Sequence, residues 1–148
     1  MSHVDQGLGV QAVRAWVRLD RAFDGFNAYL EKAHGITGAQ LAMLRIVAEQ
    51  QPVTLHSLRA QLVMHPATIG QLIDRVVRRG LLARRPAAGD SRRRELLLTP
   101  AGRSLLAAAP RAGPVRLRTA RADPERVRRL AAAFDDAVIL FGLEEWAP

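Results

Sequence analysis

The most informative absence in this 148-residue chain is cysteine, which does not occur at all. Disulfides, thiolate metal sites and cysteine-based redox sensing are therefore excluded. The sequence also has no HExxH segment and no phosphate-binding loop, and its histidines are scattered without the spacing of a metal site. We expect no catalytic residues, no metal and no cofactor.

Long apolar runs are missing as well. No stretch is long enough to cross a bilayer, and the N-terminal segment MSHVDQGLG is too polar for a signal peptide. We therefore expect a cytoplasmic protein with no membrane partner. A chain of this length forms one domain, or one domain with an attached oligomerisation element.

Lysine is almost absent, since Lys32 is the only one, and the net charge of +8 comes from arginine. Residues 59–121 hold 14 arginines and three acidic residues, a net charge of +11, whereas the rest of the chain has a net charge of −3. A basic centre favours a polyanionic partner, most often nucleic acid. An arginine-rich surface that is merely solvated is the alternative that charge alone leaves open.

Aromatic residues are few, and none occurs between Tyr29 and Phe134. They are Trp16, Phe23, Phe26 and Tyr29 near the start and Phe134, Phe141 and Trp146 near the end. Because aromatic side chains are enriched at the centres of interfaces, we expect the two ends to form an oligomerisation element. A single intramolecular core is the alternative.

Apolar periodicity predicts helices in the first third of the chain. A stripe that includes Val13, Val17 and Leu30 predicts a long helix over residues 8–34, which Gly35 ends. Thr37 and Gln40 fit a capping box and predict the start of a second helix. Residues 50–52, Gln-Gln-Pro, end that helix, and residues 53–54 predict a very short strand.

The middle of the chain carries the strongest pattern. A helix over residues 55–62 and a turn at 63–65 precede a second helix that has Pro66 first and Gly80 just past its end. Ile69, Ile73 and Val76 predict the buried face of that second helix. A strand over 81–85, a tip at 86–90 and a return strand over 93–98 follow. This order predicts a mainly α winged helix-turn-helix with a small β-hairpin wing, in the α+β class.

The last third predicts two more helices. Thr99 and Pro100 begin the first of them, and Pro110, Gly113 and Pro114 interrupt it. Asp123 begins the last helix. The course of the chain between Pro110 and Asp123 does not follow from the pattern.

Residues 36–102 resemble the MarR family of bacterial regulators (multiple antibiotic resistance regulators). The similarity lies in ITGAQLAMLRIV, in LIDRVVRRGLLAR and above all in Asp90-Ser91-Arg92, followed by Leu98-Thr99 and Gly102. These last residues match the family's wing signature at the right spacing. The terminal helices match only in length and placement.

The resemblance implies a homodimeric winged-helix transcription factor that binds double-stranded DNA at a pseudo-palindromic operator. On this view residues 1–148 form a single subunit, in which residues 36–99 bind DNA and residues 7–35 and 100–148 are dimerisation helices. We expect a repressor, although the residues do not distinguish repression from activation. Many family members also release DNA when a small molecule binds between the two regions.

Each expected DNA contact has a physical reason. His65 stands at the N-cap, and Pro66, Ala67 and Thr68 form the first turn of the helix, where free backbone N–H groups and the positive dipole end suit a phosphate. His65 could equally be a plain helix cap, and Ala67 could meet a thymine methyl group. Thr68 and Gln71 can reach base edges, whereas Arg75 and Arg78 lie where phosphates are nearer. In the wing, Arg92 matches the family's minor-groove arginine, and Arg93 and Arg94 add charge. Asp90 would hold the wing turn by pairing with an arginine.

The resemblance also places an effector pocket between the long first helix, the second helix and the last two helices. Trp16, Phe23, Phe26 and Met43 are the candidates to line it, with membership of the ordinary core as the alternative for each. A different function also stays open: a winged helix that binds DNA non-specifically, or binds protein, without any response to a ligand.

Overall fold

The computed structural model describes residues 5–62 and 64–148, so Val63 of the expected turn lies outside the described residues. The elements follow in the order α1 (Gln6–His34), α2 (Gly38–Gln50), β1 (Val53–Thr54), α3 (Leu55–Gln61), α4 (Pro66–Arg78), β2 (Leu82–Ala87), β3 (Asp90–Leu98), α5 (Pro100–Ala108), a 3₁₀ helix (Pro114–Arg118), α6 (Pro124–Leu140) and a last 3₁₀ helix (Glu144–Trp146). This is the winged helix-turn-helix predicted from the sequence.

The helix boundaries follow from capping residues. Thr37 and Gln40 form the full capping box of α2, with Gln40 Oε1 accepting from the Thr37 backbone N–H at 2.9 Å. Thr54 caps α3, Thr99 caps α5 and Asp123 caps α6, each through its side-chain oxygen. These contacts satisfy N–H groups that have no partner within their own helix.

The sheet has three antiparallel strands in the order β1-β3-β2. The hairpin strands are longer than the sequence predicted, because the tip is only Ala88-Gly89 and not the whole of residues 86–90. Pro86 lies inside β2, which tolerates it because β2 is an edge strand. The expected tip and the expected start of β3 at residue 93 were therefore wrong.

The buried core lies beneath the helix-turn-helix. It joins the inner face of α2 to α4 and to the base of the hairpin through Leu44, Leu58, Ile73 and Leu96, which are fully buried or nearly so. The sequence-predicted inner face of α4 is correct, since Ile69, Ile73 and Val76 are buried. Packing on this core fixes which side of α4 faces solvent.

A break separates α5 from α6, as the prolines and glycine predicted. Helix α5 ends at Ala108, and residues 109–123, here called the linker, contain the 3₁₀ helix. Gly113 has a φ of +92°, a backbone conformation that other residues rarely adopt. The linker packs beside α2 and connects the winged region to α6.

The terminal helices carry much apolar surface in the single chain. Exposed large side chains include Val13 and Trp16 on α1 and Phe134, Ile139 and Leu140 on α6, of which Leu140 is 80% exposed. Within the described residues, no helix combines the length and the apolar character that a membrane span would need.

Candidate nucleic-acid interface

Helix α4 presents a continuous polar face to solvent. Thr68, Gln71, Arg75 and Arg78 are all exposed on it. Because these positions are three or four residues apart, the side chains lie on one side of the helix, opposite the buried Ile69 and Ile73. The structure therefore brings together the four side chains that the sequence placed on one face.

The N-terminus of α4 begins at an unusual cap. The Nδ1 atom of His65 accepts a hydrogen bond from the Ala67 backbone N–H at 3.2 Å, and Pro66 occupies the first helical position. His65, Pro66 and Ala67 are all exposed. His65 thus caps the helix. Because its side chain is also exposed, a contact between His65 and DNA is sterically open.

Two arginine contacts hold α4 in place. Beyond its C-terminal end, Arg79 donates to the carbonyl oxygens of His34, at 3.1 Å, and of Gly35. These carbonyls end α1, so Arg79 joins α4 to the long first helix. On the exposed face, Asp74 forms an ion pair with Arg84 of β2. Helix and wing are therefore linked by a side-chain pair as well as by the core.

The wing tip is built from a turn and an irregular strand. The register passes from Pro86 opposite Arg94 directly to Ala87 opposite Asp90, so residues 91–93 are extra on the β3 side. Such bulges change the direction in which side chains point. Arg92 and Arg93 lie in this bulge and are exposed, as is Arg94 beside it.

Asp90 supports the tip, as expected, but its observed partner is a backbone group. Its Oδ1 atom accepts from the Arg92 backbone N–H at 3.0 Å. The arginine side chain expected as its partner forms no ion pair with Asp90 among the described residues. The hydrogen bond fixes the backbone of Arg92 and does not involve the Arg92 guanidinium.

The base of the hairpin is closed by the residues that follow β3. Thr99 Oγ1 donates to the Gly80 carbonyl at 2.6 Å and accepts from the Gly102 N–H at 3.0 Å. A Cβ atom on Gly102 would lie 2.2 Å from the Leu81 carbonyl oxygen, far inside contact distance. This close approach explains in physical terms why glycine stands at this position.

An open cleft of about 1050 Å³ lies between α1, the linker and α6. Phe23 and Phe26 line it, whereas Trp16 and Met43 do not. Met43, on the inner face of α2, is fully buried in the core. The ring of Trp16 meets the ring of Phe141 edge to face. The pattern of α1 could not reveal the arginines that also line the cleft, Arg116, Arg121, Arg126 and Arg129.

The comparisons with known proteins match this architecture. Residues 34–93, from the end of α1 to the wing tip, match the model described as "MarR family". Over these residues the chain is similar to the MarR family. The match contains all of α4, the Arg79 contact and the wing arginines Arg92 and Arg93.

The curated relatives that match part of the chain are transcriptional regulators. The transcriptional regulator HosA of Escherichia coli O157:H7 is 35% identical over 74 residues, which are 50% of this chain and 55% of HosA. The chain thus spans about half the length of the curated relatives that it matches.

MarR-family structures share the fold over nearly the whole chain. The Staphylococcus aureus MepR–DNA complex matches with a TM-score of 0.64 at 19% identity, covering 88% of this chain and 97% of MepR. Mutant MarR from E. coli, complexed with operator DNA, matches with a TM-score of 0.63 at 18% identity, covering 93% and 99%. At these identities the likeness establishes the winged-helix fold.

Proposed function

We propose that the protein is a cytoplasmic, sequence-specific DNA-binding transcriptional regulator that acts as a homodimer on a pseudo-palindromic operator. The observation that carries the proposal is the exposed polar face of α4 beside an arginine-rich wing. A helix of this kind fits the major groove of B-DNA, and the neighbouring hairpin reaches the backbone and the next groove. HosA is a transcriptional regulator, and the MepR and mutant MarR structures contain DNA.

The first two turns of α4 would contact the base edges. Thr68 and Gln71 are exposed there, and a glutamine amide can pair with both acceptor and donor on the adenine edge. Ala67 offers a methyl group to thymine. The N-terminal end of α4, at His65 and Pro66, suits a phosphate because it is the positive end of the helix dipole.

Charge on the later turns and on the wing would position the duplex. Arg75 and Arg78 lie toward the C-terminal half of α4, where phosphate contacts orient a protein without specifying sequence. Arg92 extends from the bulge of the wing, and a narrow A·T-rich minor groove attracts a guanidinium through its stronger negative potential. Arg93 and Arg94 would add backbone contacts, while Asp90 holds the turn.

Dimerisation would use residues 7–35 and 100–148. The apolar side chains that α1 and α6 expose in the single chain form the kind of surface that soluble proteins bury against a partner. Two-fold symmetry would then place two α4 helices about 34 Å apart, which is one turn of DNA.

The cleft supports the proposal that the protein is a repressor whose DNA binding is controlled by an effector. Phe23 and Phe26 provide apolar surface on its α1 side, and the linker forms another wall. A small molecule that binds there would contact both the terminal helices and the segment leading from the winged region. This part of the proposal rests on the cleft, whereas DNA binding rests on α4 and the wing.

Selection of bound sequences from random duplex DNA tests the proposal directly. We expect one recurring two-fold symmetric site, which the protein binds on the order of a thousandfold or more tightly than scrambled duplex. A non-specific DNA-binding module would enrich no sequence, and a protein-binding module would retain no duplex at physiological salt. Either result would contradict the proposal.

A further inference from the structure

A second, smaller pocket lies between α2 and the linker, away from the face of α4. Its volume is about 210 Å³, and its polar lining side chains are Arg45, Glu49, Arg111, Arg116, Thr119 and Arg121. Four arginine residues thus line one small space. Like charges at such close quarters repel, so the arrangement needs an explanation.

The negative charge nearest the pocket is already engaged. Glu49 is the only acidic residue among the described residues that line it, and its Oε2 atom accepts from Arg118 Nε at 3.2 Å. Arg118 is not one of the lining residues. The carboxylate therefore balances an additional arginine, and the four lining guanidiniums retain an excess of positive charge.

Arg45 supplies the second observation. Its Nη2 atom donates to the carbonyl oxygens of Ala109, at 3.3 Å, and Pro110, at 3.1 Å. Its Nε atom is buried and has no hydrogen-bond partner within residues 5–62 and 64–148. Burial and the nearby charge of Arg111 both lower the pKa of Arg45. A buried donor on a charged group is costly unless an acceptor is supplied.

We propose that this pocket binds a small phosphate-bearing anion. Guanidinium groups match phosphate oxygens in pairs, and several arginines around one tetrahedral group satisfy both the donors and the charge. The pocket is smaller than the roughly 300 Å³ at which sites for drug-sized ligands begin. Inorganic phosphate or a compact phosphate monoester is therefore the class that fits.

The position of the pocket gives the anion a structural role. Arg116 and Arg121 line both this pocket and the larger cleft, so the linker is a wall shared by the two. Arg118 of the same linker also donates to Gln61 of α3 at 3.1 Å. A bound anion would fix the linker against α2 and α3. Any consequence for DNA rests on the proposed function, whereas anion binding itself does not.

Calorimetric titration of the full chain tests the proposal without DNA. Inorganic phosphate, glycerol 3-phosphate and acetate are titrated separately in chloride buffer at constant ionic strength. We expect saturable binding of one phosphate group per chain and no saturable binding of acetate. Whichever of inorganic phosphate and glycerol 3-phosphate binds more tightly indicates whether the natural ligand is the free ion or a phosphate monoester.

Matched variants locate the site. Arg111→Gln and Arg116→Gln should each weaken phosphate binding about tenfold, the effect of removing one charge-assisted hydrogen bond. Arg59→Gln removes the same charge from an exposed position on α3, outside the pocket, and should change binding less than about twofold if only local contacts matter. Both pocket variants remove exposed side chains, so thermal unfolding should show an intact fold.

Three results would overturn the proposal. The first is the absence of saturable phosphate binding by the wild-type chain. The second is equal weakening by Arg59→Gln, which would indicate general attraction to a basic protein. The third is a loss of duplex affinity in Arg111→Gln with phosphate affinity unchanged, which would assign the arginines to the DNA backbone.

Discussion

The rings of Trp16 in α1 and Phe141 at the end of α6 lie 5.9 Å apart between centroids and meet edge to face. They bring the two ends of the chain together within one subunit. Yet Trp16 remains 49% exposed and Phe141 41% exposed in the single chain. The pair therefore joins the terminal helices and still offers apolar surface to a second copy.

This surface leads to a prediction about assembly. The wild-type chain should sediment as a dimer at micromolar concentration, with twice its 16.3 kDa mass. Phe134→Ala should weaken the dimer at least about tenfold, because aromatic anchors dominate interface energies and each substitution occurs twice. Met64→Ala, which truncates an exposed apolar side chain beside α3, is the control and should leave the dimer unchanged. A well-folded wild-type monomer would refute this assembly.

Two glycines provide a matched test of packing at the base of the wing. Gly102→Ala forces a Cβ atom against the Leu81 carbonyl and should lower the free energy of unfolding by about 1–3 kcal/mol. Gly70→Ala in α4 meets nothing within 4 Å and should raise it by about 0.5–1 kcal/mol, because alanine favours helix. Urea unfolding of both variants measures the difference. Equal effects of the two substitutions would show that the Gly102 contact is not tight.

The wing arginine makes a prediction about sequence context. Arg92→Ala should weaken binding more when the operator flank is A·T-rich than when it is G·C-rich, because a narrow groove attracts the guanidinium more strongly. Stability should hardly change, since the side chain is exposed. Fluorescence anisotropy on the two flank sequences compares the reductions in affinity, and Arg128→Ala on α6 is the control. If the variant binds both flanks as the wild type does, Arg92 is not a minor-groove contact.

The α4 region shows what the sequence could predict. Local signals determined both ends of the helix, since Pro66 begins it and Gly80 follows it with a φ of +70°. Its buried face followed from the spacing of Ile69, Ile73 and Val76. These features depend on residues close together in the chain, so the sequence alone was sufficient.

Features that depend on distant contacts were harder to predict. Pro86 suggested the end of a strand, but its effect depends on β2 being at the sheet edge, which only the strand order reveals. Met43 is a pocket candidate from the sequence, yet its position on α2 places its side chain in the core. The arginine pocket joins Arg45 to residues 111–121, and no local spacing connects them.

Binding as a function of salt, on the selected operator and on a scrambled duplex, tests the central claim that the first two turns of α4 read bases. Gln71→Ala should reduce base preference at one or two positions of each half-site, by about 1–3 kcal/mol per position. Arg75→Ala should weaken both duplexes alike and reduce the salt slope by roughly one for each phosphate that the arginine no longer neutralises. The opposite pattern, with Gln71→Ala weakening both duplexes equally and Arg75→Ala altering only sequence preference, would contradict the account.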